Sequence, residues 1–381
     1  MFEIKNLKKA ANRILEAVRD KEKIILYGDS DPDGAVSVIV LEEALNVLGY
    51  NNIKVYFPDR EKEGYGLNEK ALKFLKKYAP ALLITLDCGI GSVKEVEIAK
   101  KMGFEVIIVD HHEVLPKIPK ALIVDPKQKD DEYPFKQFAC AGVSYKLSRL
   151  LLFLGNKKHE PEKFLELVAL ATLTDQMPLI DENLEFVKQG ISALNISTRP
   201  GLKILRGNAS FDLKQVREKI LPVLNGAGTL NHLNEAYVFL SEKSLKKVEL
   251  MIKKLNKKTG ERRQKIKEIF EEIEERIQSK TDQDFIVFEG DSSWPLVLAG
   301  PVASKICNKY KRPTFIFKNN KKESPGSVRV PQNFNGVNAM ESCKNLLETY
   351  GGHPLACGFR VKNKNLELFK NCLIKYFKKH G

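Results

Sequence analysis

A two-domain α/β protein is predicted by three observations. Apolar runs and amphipathic stretches alternate regularly from residue 5 to residue 124. That rhythm specifies a mostly parallel sheet with helices on both faces. After a helical region, a highly charged stretch from Leu245 to Gln278 keeps helical periodicity, and strand-like runs return beyond it, marking a smaller second α/β domain. The length of 381 residues suits two domains.

The elements follow in order. Residues 5–20 form an amphipathic helix, with Leu7, Ala11, Ile14, Leu15 and Val18 on one stripe. Strand 23–28 leads into the acidic loop Asp29-Ser30-Asp31-Pro32-Asp33-Gly34, and a helix runs from Ala35 to Leu48. Strand 53–57, helix 68–77, strand 81–86, helix 92–102, strand 104–109 and a short strand over 121–124 continue the alternation. Helices are expected over 142–154, 161–173, 184–194, 213–220 and 232–240. Leu245–Gln278 is one long helix, basic in its first half and acidic in its second. A helix this polar bridges domains or lies in solvent, so its basic half is read as a solvated face before a phosphate-tracking one. Strands over 284–288 and 314–317 flank a helix over 300–310. The stretch 318–327 is polar and turn-rich, and helices over 338–349 and 365–378 close the chain. The expected division is a first domain over 1–240, a connecting helix over 241–280 and a second domain over 281–381.

Composition narrows the function. The formal net charge of +14 favours polyanionic partners such as nucleic acid, with a merely lysine-rich surface as an equal alternative, so the charge gains weight only when joined to a phosphate-directed site. None of the six cysteines forms a CxxC pair, so neither a disulfide framework nor a structural zinc site is expected. No apolar run is long enough for a bilayer and the N-terminus lacks a signal-peptide layout, so a cytoplasmic protein with no membrane partner is expected.

Chemistry concentrates at strand ends. Asp29, Asp31 and Asp33 follow the first apolar run, Asp87 follows Ala81–Leu86, and Asp110-His111-His112 follows Phe104–Val109. Ligands gather at the carboxyl ends of parallel strands, so these segments converge on one place. Asp31 and Asp33, two apart in an extended loop, would point the same way. Asp175 must be delivered by a helical segment. Hard divalent cations prefer carboxylate and water oxygens, and Mn²⁺ also accepts imidazole. This set exceeds the needs of one ion and suits a two-metal phosphoesterase. Asp110 is either a helix cap or an orienter of an imidazole. Trp294, Tyr65 and Tyr145 are the aromatic candidates for base stacking, each read as core before platform.

The DSDPDG, LDCG, DHH and TD segments resemble the motifs of the DHH phosphoesterase superfamily and, within it, the RecJ family of single-strand-specific exonucleases. Supporting stretches are Asp59-Arg60 with Glu63-Gly64-Tyr65-Gly66-Leu67, Asp125-Pro126-Lys127-Gln128, Ala141-Gly142-Val143-Ser144, Arg199-Pro200-Gly201-Leu202, Leu224-Asn225-Gly226-Ala227-Gly228, Gly326-Ser327-Val328-Arg329 and Gly351-Gly352-His353. The resemblance implies a DHH catalytic domain with a mostly parallel sheet and a smaller DHH-associated substrate-binding domain, joined by the long helix. It implies two Mn²⁺ ions, with Mg²⁺ as the second choice, on Asp29, Asp31, Asp33, Asp87, His111 and Asp175, and Asp87 bridging them. It implies catalytic roles for Asp87, Asp110 and His112, the last on the scissile phosphate. Substrate contacts would come from Arg60, Ser144, Asn225, Arg329, Gly351, Gly352 and His353.

Three departures stand out. Tyr27 occupies the place where many superfamily members carry histidine. Val223 and Thr229 stand where flanking arginines are frequent. No oligonucleotide-binding barrel is expected after the second domain, where bacterial RecJ proteins usually continue into one. The expected activity is release of mononucleotides from single-stranded DNA or RNA, 5′→3′ on DNA. The alternatives are a phosphoesterase for short oligonucleotides, dinucleotides or nucleoside bisphosphates, and a non-catalytic replication scaffold. A single-strand-binding or replication protein is a further candidate partner.

Overall fold

A computed structural model describes residues 3–157, 161–279 and 285–380. They form two compact units, Met1–Thr259 and Gly260–Gly381. No helix among the described residues is long and apolar enough to cross a membrane.

The first unit is built on five parallel strands: β1 (Ile24–Gly28), β2 (Ile53–Tyr56), β3 (Ala81–Leu86), β4 (Phe104–Val109) and β5 (Leu122–Val124), in the order β2-β1-β3-β4-β5. β1 and β3 are buried along their whole length, as continuous apolar runs in a parallel sheet should be. Successive side chains enter opposite layers. Ile24 and Leu26 face a core shared with α1 (Leu7–Arg19) and α2 (Pro32–Val47). Ile25 and Tyr27 face a smaller core shared with α3 (Glu69–Leu75) and α4 (Val93–Lys101).

α2 starts earlier than the sequence suggests, which corrects the picture of an extended acidic loop. Asp31 is its N-cap and accepts from the Gly34 amide at 3.0 Å, Pro32 takes the first helical position, and Asp33 lies in the first turn. The chain doubles back here. A Cβ on Gly34 would lie 2.4 Å from the Asp29 carbonyl oxygen. Gly34→Ala is therefore expected to lower stability by about 1–3 kcal/mol by overpacking. Thermal unfolding in chelator measures this, and an unchanged midpoint would show that the loop has room.

A helical layer follows: α5 (Cys140–Leu154), α6 (Leu165–Thr174), α7 (Asp181–Ile196) and α8 (Pro200–Arg206), the last of which the sequence does not announce. Arg199 explains the Arg199-Pro200-Gly201-Leu202 stretch as structural. Its guanidinium donates to Glu166 at 2.6 Å, Glu43 at 2.8 Å and the Leu240 carbonyl at 3.0 Å, tying four helical segments together. α9 (Leu213–Gln215) passes through a π turn over Val216–Ile220 into α10 (Leu221–Asn225). The helix expected over 232–240 begins only at Glu235. Before it, β6 (Thr229–Leu230) and β7 (Leu233–Asn234) pair across Asn231 and His232, both at positive φ, as a tight hairpin demands. α11 (Glu235–Ser241) then leads to α12 (Leu245–Gln278), which matches the expected long helix. In its basic half, Lys254 and Lys258 pair with the buried Glu235 at 2.8 and 2.6 Å, so part of that charge is structural.

The second unit carries β8 (Val287–Asp291), α13 (Leu296–Tyr310), β9 (Thr314–Lys318), β10 (Glu323–Arg329), α14 (Gly336–Ser342), β11 (Leu347–His353), β12 (Ala356–Lys362) and α15 (Leu366–His380). The sheet order is β11-β12-β10-β9-β8, and only β8 and β9 run parallel. Phenylalanines at 288, 315, 317, 359 and 369 interlock on one face. Four expectations are corrected here. The stretch 318–327 is largely strand: β10 alternates buried and part-buried residues, and its Pro325 precedes Gly326, where pairing with β9 starts. The helix expected over 338–349 ends at Ser342, and a polar, glycine-bearing strand replaces its second half. Cys343 and Cys372 form a disulfide, which spacing could not reveal because the two are 29 residues apart. The strand expected over 284–288 begins at Val287 instead, and Asp284 lies outside the described residues.

Candidate metal centre

The strand order reverses between β1 and β3, and the acids sit at the carboxyl ends on either side of that point. Asp29 follows β1, Asp87 follows β3 and Asp110 follows β4. Asp87 is held at φ 64°, a backbone state rare outside glycine, asparagine and aspartate. Its amide donates to the Val109 carbonyl at 3.0 Å and approaches Cys140 Sγ at 3.1 Å. Such strain clusters where geometry is functional.

Asp87 belongs to more than one group of close donor atoms. Asp33, Asp87 and His111 form one, and Asp29, Asp31 and Asp87 form another. Asp175, at the end of α6, adds a carboxylate 3.7 Å from His111 Nε2. His111 Nδ1 lies 2.7 Å from the Phe138 carbonyl and so carries the proton, which leaves Nε2 as an acceptor. Nε2 faces Asp87 Oδ1 at 3.1 Å and Asp33 Oδ2 at 3.7 Å. Acceptors facing acceptors is an arrangement made for a cation. Asp87 Oδ1 and Asp175 Oδ2 are moreover buried without a hydrogen-bond donor. This donor set of carboxylates and one imidazole fits a pair of hard divalent ions.

The electrostatics agree. Burial and then the charges of Asp31 and Asp33 push the Asp87 carboxyl well up, and burial with Asp33 does the same to Asp175. Burial and Asp31 raise Asp33 to about 7, although the Cys140 and Ala141 amides at the start of α5 donate to it at 2.7 and 2.9 Å. Burial, then the charges of His112 and Lys127, hold His111 down at about 3, neutral and ready to ligate. Asp29 is raised by burial against the pull of Arg60, which donates to it at 2.6 Å and to Asp31 at 3.1 Å.

Asp110 is an orienter. Its Oδ1 accepts from His112 Nδ1 at 2.7 Å and from the His111 amide at 2.8 Å, and its Oδ2 accepts from the Ile90 amide at 3.0 Å. Burial disfavours charge on His112, but the Asp110 carboxylate outweighs it and lifts the imidazole to about 9. His112 Nε2 then lies 3.4 Å from the Tyr65 hydroxyl.

The structure thus brings Asp29, Asp31, Asp33, Asp87, Asp110, His111, His112, Asp175 and Arg60 together at one end of the sheet. Ser144 is buried in α5, 4.0 Å from Cys140 Sγ, and Asn225 is exposed at the end of α10. In the second unit, Arg329 ends β10 and donates to its neighbour's carbonyl at 2.8 Å. Gly351, Gly352 and His353 end β11, and Gly352 has φ 131° with the Ala356 carbonyl 2.6 Å from where a Cβ would be. Trp294 and Tyr145 are core residues, whereas Tyr65 is exposed and lies beneath the Arg60 guanidinium at 5.0 Å. Tyr27 places its hydroxyl on the Gly66 carbonyl at 2.8 Å, a packing role. Sequence reasoning missed the amides of Cys140 and Ala141, the Phe138 carbonyl and the Lys127 ammonium, whose charge reaches His111, His112 and Asp175. Only Lys127 carried a signal, in the Asp125-Pro126-Lys127 stretch after the last strand of the sheet.

A sheet ending in these acids and histidines, with a second α/β unit after it, defines a class. The chain belongs to the DHH family: residues 23–172 match the DHH family, N-terminal domain, and residues 282–379 match the DHHA1 domain. Within that family it is RecJ-like. It is 35% identical over 376 residues to the single-stranded-DNA-specific exonuclease RecJ of Bacillus subtilis (strain 168), a match spanning 96% of this chain and 47% of that protein. The chain therefore spans about half the length of that relative. The crystal structure of RecJ in complex with Mn²⁺ from Thermus thermophilus matches with a TM-score of 0.83 at 25% identity, covering 100% of this chain and 56% of that one. A crystal structure of exonuclease RecJ bound to manganese matches at 0.79 and 26%, covering 98% and 95%.

Proposed function

We propose that the chain is a metal-dependent phosphodiesterase that releases mononucleotides from single-stranded nucleic acid, working 5′→3′ on DNA. The observation that carries this reading is Asp87: strained, buried, and shared by the Asp33–His111 and the Asp29–Asp31 groups of metal-type donors. The reading assigns the catalytic part to 1–240, the connection to 241–280 and a substrate-binding part to 281–381. Asp33, Asp87, His111 and Asp175 would hold one ion, and Asp29, Asp31 and Asp87 the other, with Mn²⁺ preferred. Bound there, the pair supplies an ionised water and neutralises charge on the phosphoryl oxygens.

The residues of the chain do the rest. Asp110 keeps His112 protonated at Nδ1 and aimed through Nε2, so the imidazolium can donate to a phosphoryl oxygen. The Phe138 carbonyl fixes the tautomer of His111. Arg60, now spent on Asp29 and Asp31, becomes available to a phosphate once those carboxylates are neutralised. Arg329, Gly351, Gly352, His353 and Asn225 are the remaining proposed substrate contacts; Ser144, fully buried in α5, is not one of them. The RecJ relatives support single-stranded DNA as substrate, and the net charge of +14 is consistent with it.

End-labelled DNA and RNA of several lengths, incubated with Mn²⁺, test the reading. Stepwise loss of mononucleotides from one end of the long strand is expected. Cleavage confined to dinucleotides would favour the short-substrate alternative. Binding without any cleavage would favour a scaffold. Chelation with EDTA is expected to abolish turnover, with Mn²⁺ restoring it better than Ca²⁺. Turnover that persists in chelator would end the metal mechanism.

A further inference from the structure

A second surface of the first unit has no place in the acid cluster. Four aromatic rings form a ladder outward from the end of β1. Tyr27 stacks on Tyr56 at 5.4 Å, Tyr56 on His232 at 4.5 Å, and His232 meets Phe74 at 4.7 Å. Tyr27 is wholly buried, and Phe74 is 40% exposed. The β6–β7 hairpin, which carries His232, leaves Leu230 60% exposed.

Lysines surround these rings. Lys77 lies over the Phe74 ring at 4.4 Å and over the Tyr78 ring at 5.2 Å, and Lys54 lies over Tyr78 at 5.9 Å. Residues 69–78 hold four lysines and one acid, Glu69, which is paired with Lys94 at 3.0 Å. Glu63, the acid facing His232, is turned inward onto the Tyr56 hydroxyl and the Asp59 amide, both at 2.7 Å. The surface is therefore cationic and aromatic at once. Rings interleaved with ammonium groups match a strand whose bases stack and whose phosphates need counter-charge.

The surface also shares a frame with the acids. Glu63 joins the ladder to the loop that carries Arg60 and Tyr65. The Phe57 amide donates to the His232 carbonyl at 3.0 Å, and the Asn234 side chain donates to the Ser30 carbonyl at 3.0 Å.

We propose that the Phe74–His232–Lys77 surface, at the outer edge of β2, is a track for single-stranded nucleic acid running away from the acid cluster. It rests on the nuclease reading above and extends it to nucleotides not being cut. An acidic peptide is the rival occupant. It would use the lysines and gain little from the rings.

The test uses the full chain in EDTA, so that binding is measured without hydrolysis. Fluorescence anisotropy of an internally labelled twenty-residue oligothymidylate gives the affinity. Phe74→Ala is expected to weaken binding at least about fivefold, the loss of one stacked base. The triple variant Lys54→Ala, Lys73→Ala, Lys77→Ala is expected to reduce the slope of log affinity against log salt by about 2. Unfolding midpoints establish that both variants fold, and Lys77→Glu provides a second single change. Wild-type affinity and salt slope in the folded variants overturn the proposal. So does a loss of polyglutamate binding while oligothymidylate binding holds. A wild-type protein that binds the strand through Phe74 but cuts nothing with Mn²⁺ sinks the nuclease reading and leaves the track standing.

Discussion

Asp87→Asn is expected to lower kcat by about a thousandfold or more, which is about 4 kcal/mol of transition-state stabilisation. Asparagine is the right replacement because the site sits at φ 64°. Asparagine tolerates that backbone, whereas alanine would add strain unrelated to charge. The loss follows from geometry: one carboxylate is common to both donor groups, so neutralising it weakens both ion positions at once. Stability supplies a second readout with the opposite sign. Burial and neighbouring acids raise the Asp87 carboxyl in the folded protein. A carboxyl raised on folding costs stability as pH climbs above its unfolded value near 3.9. In chelator at pH 8, the variant should therefore unfold at a higher temperature than the wild type. With Mn²⁺ the order should reverse. A ligand at a hundred times its Kd adds about 2.7 kcal/mol to the protein that binds it. Turnover within tenfold of wild type, or equal Mn²⁺ stabilisation of both proteins, would remove Asp87 from the bridging position.

Asp87 is legible in the sequence because the first unit writes its chemistry at strand ends. Ile24–Tyr27, Ala81–Leu86 and Phe104–Val109 are apolar enough to be recognised as buried parallel strands, and each ends close before its acid. The long helix is equally visible, because Lys and Glu are good helix formers and no proline interrupts them. What escapes depends on partners remote in the chain. The Cys140 amide reaches Asp33 across 107 positions, and no local pattern announces a backbone donor. Asp-Pro-Asp-Gly reads as a turn by composition, yet aspartate followed by proline is also how a helix begins, and only the fold decides between them. The second unit is the least legible. β10 and β11 carry Ser-Pro-Gly-Ser and Tyr-Gly-Gly-His, which suppress the apolar alternation that betrays a strand. Tertiary pairing with β12 holds them extended regardless.

Asp110→Asn should be nearly as damaging as the loss of Asp87, for a different reason. Asp110 acts through an imidazole: it holds His112 by Nδ1 at 2.7 Å. The amide can keep a hydrogen bond there while losing the charge that keeps the imidazole protonated. A fall in kcat of about a hundredfold or more is expected, within the usual range for general acid catalysis. The linkage in metal-free protein can be signed from both partners. His112 is raised from 6.5 to about 9, so its share of stability is full below pH 6.5 and lost as pH rises through about 9. Asp110 is depressed below 3.8, so the same pair also weakens as pH falls through its lowered value. The two shifts describe one interaction and count once, at about 3 kcal/mol. In chelator, wild type and Asp110→Asn should therefore differ most between pH 4 and 6.5 and converge by pH 10. With Mn²⁺, the alkaline fall of kcat should move to lower pH in the variant. If kcat drops but its pH profile stays in place, His112 donates no proton, and the role of Asp110 reduces to holding the His111 and Ile90 amides.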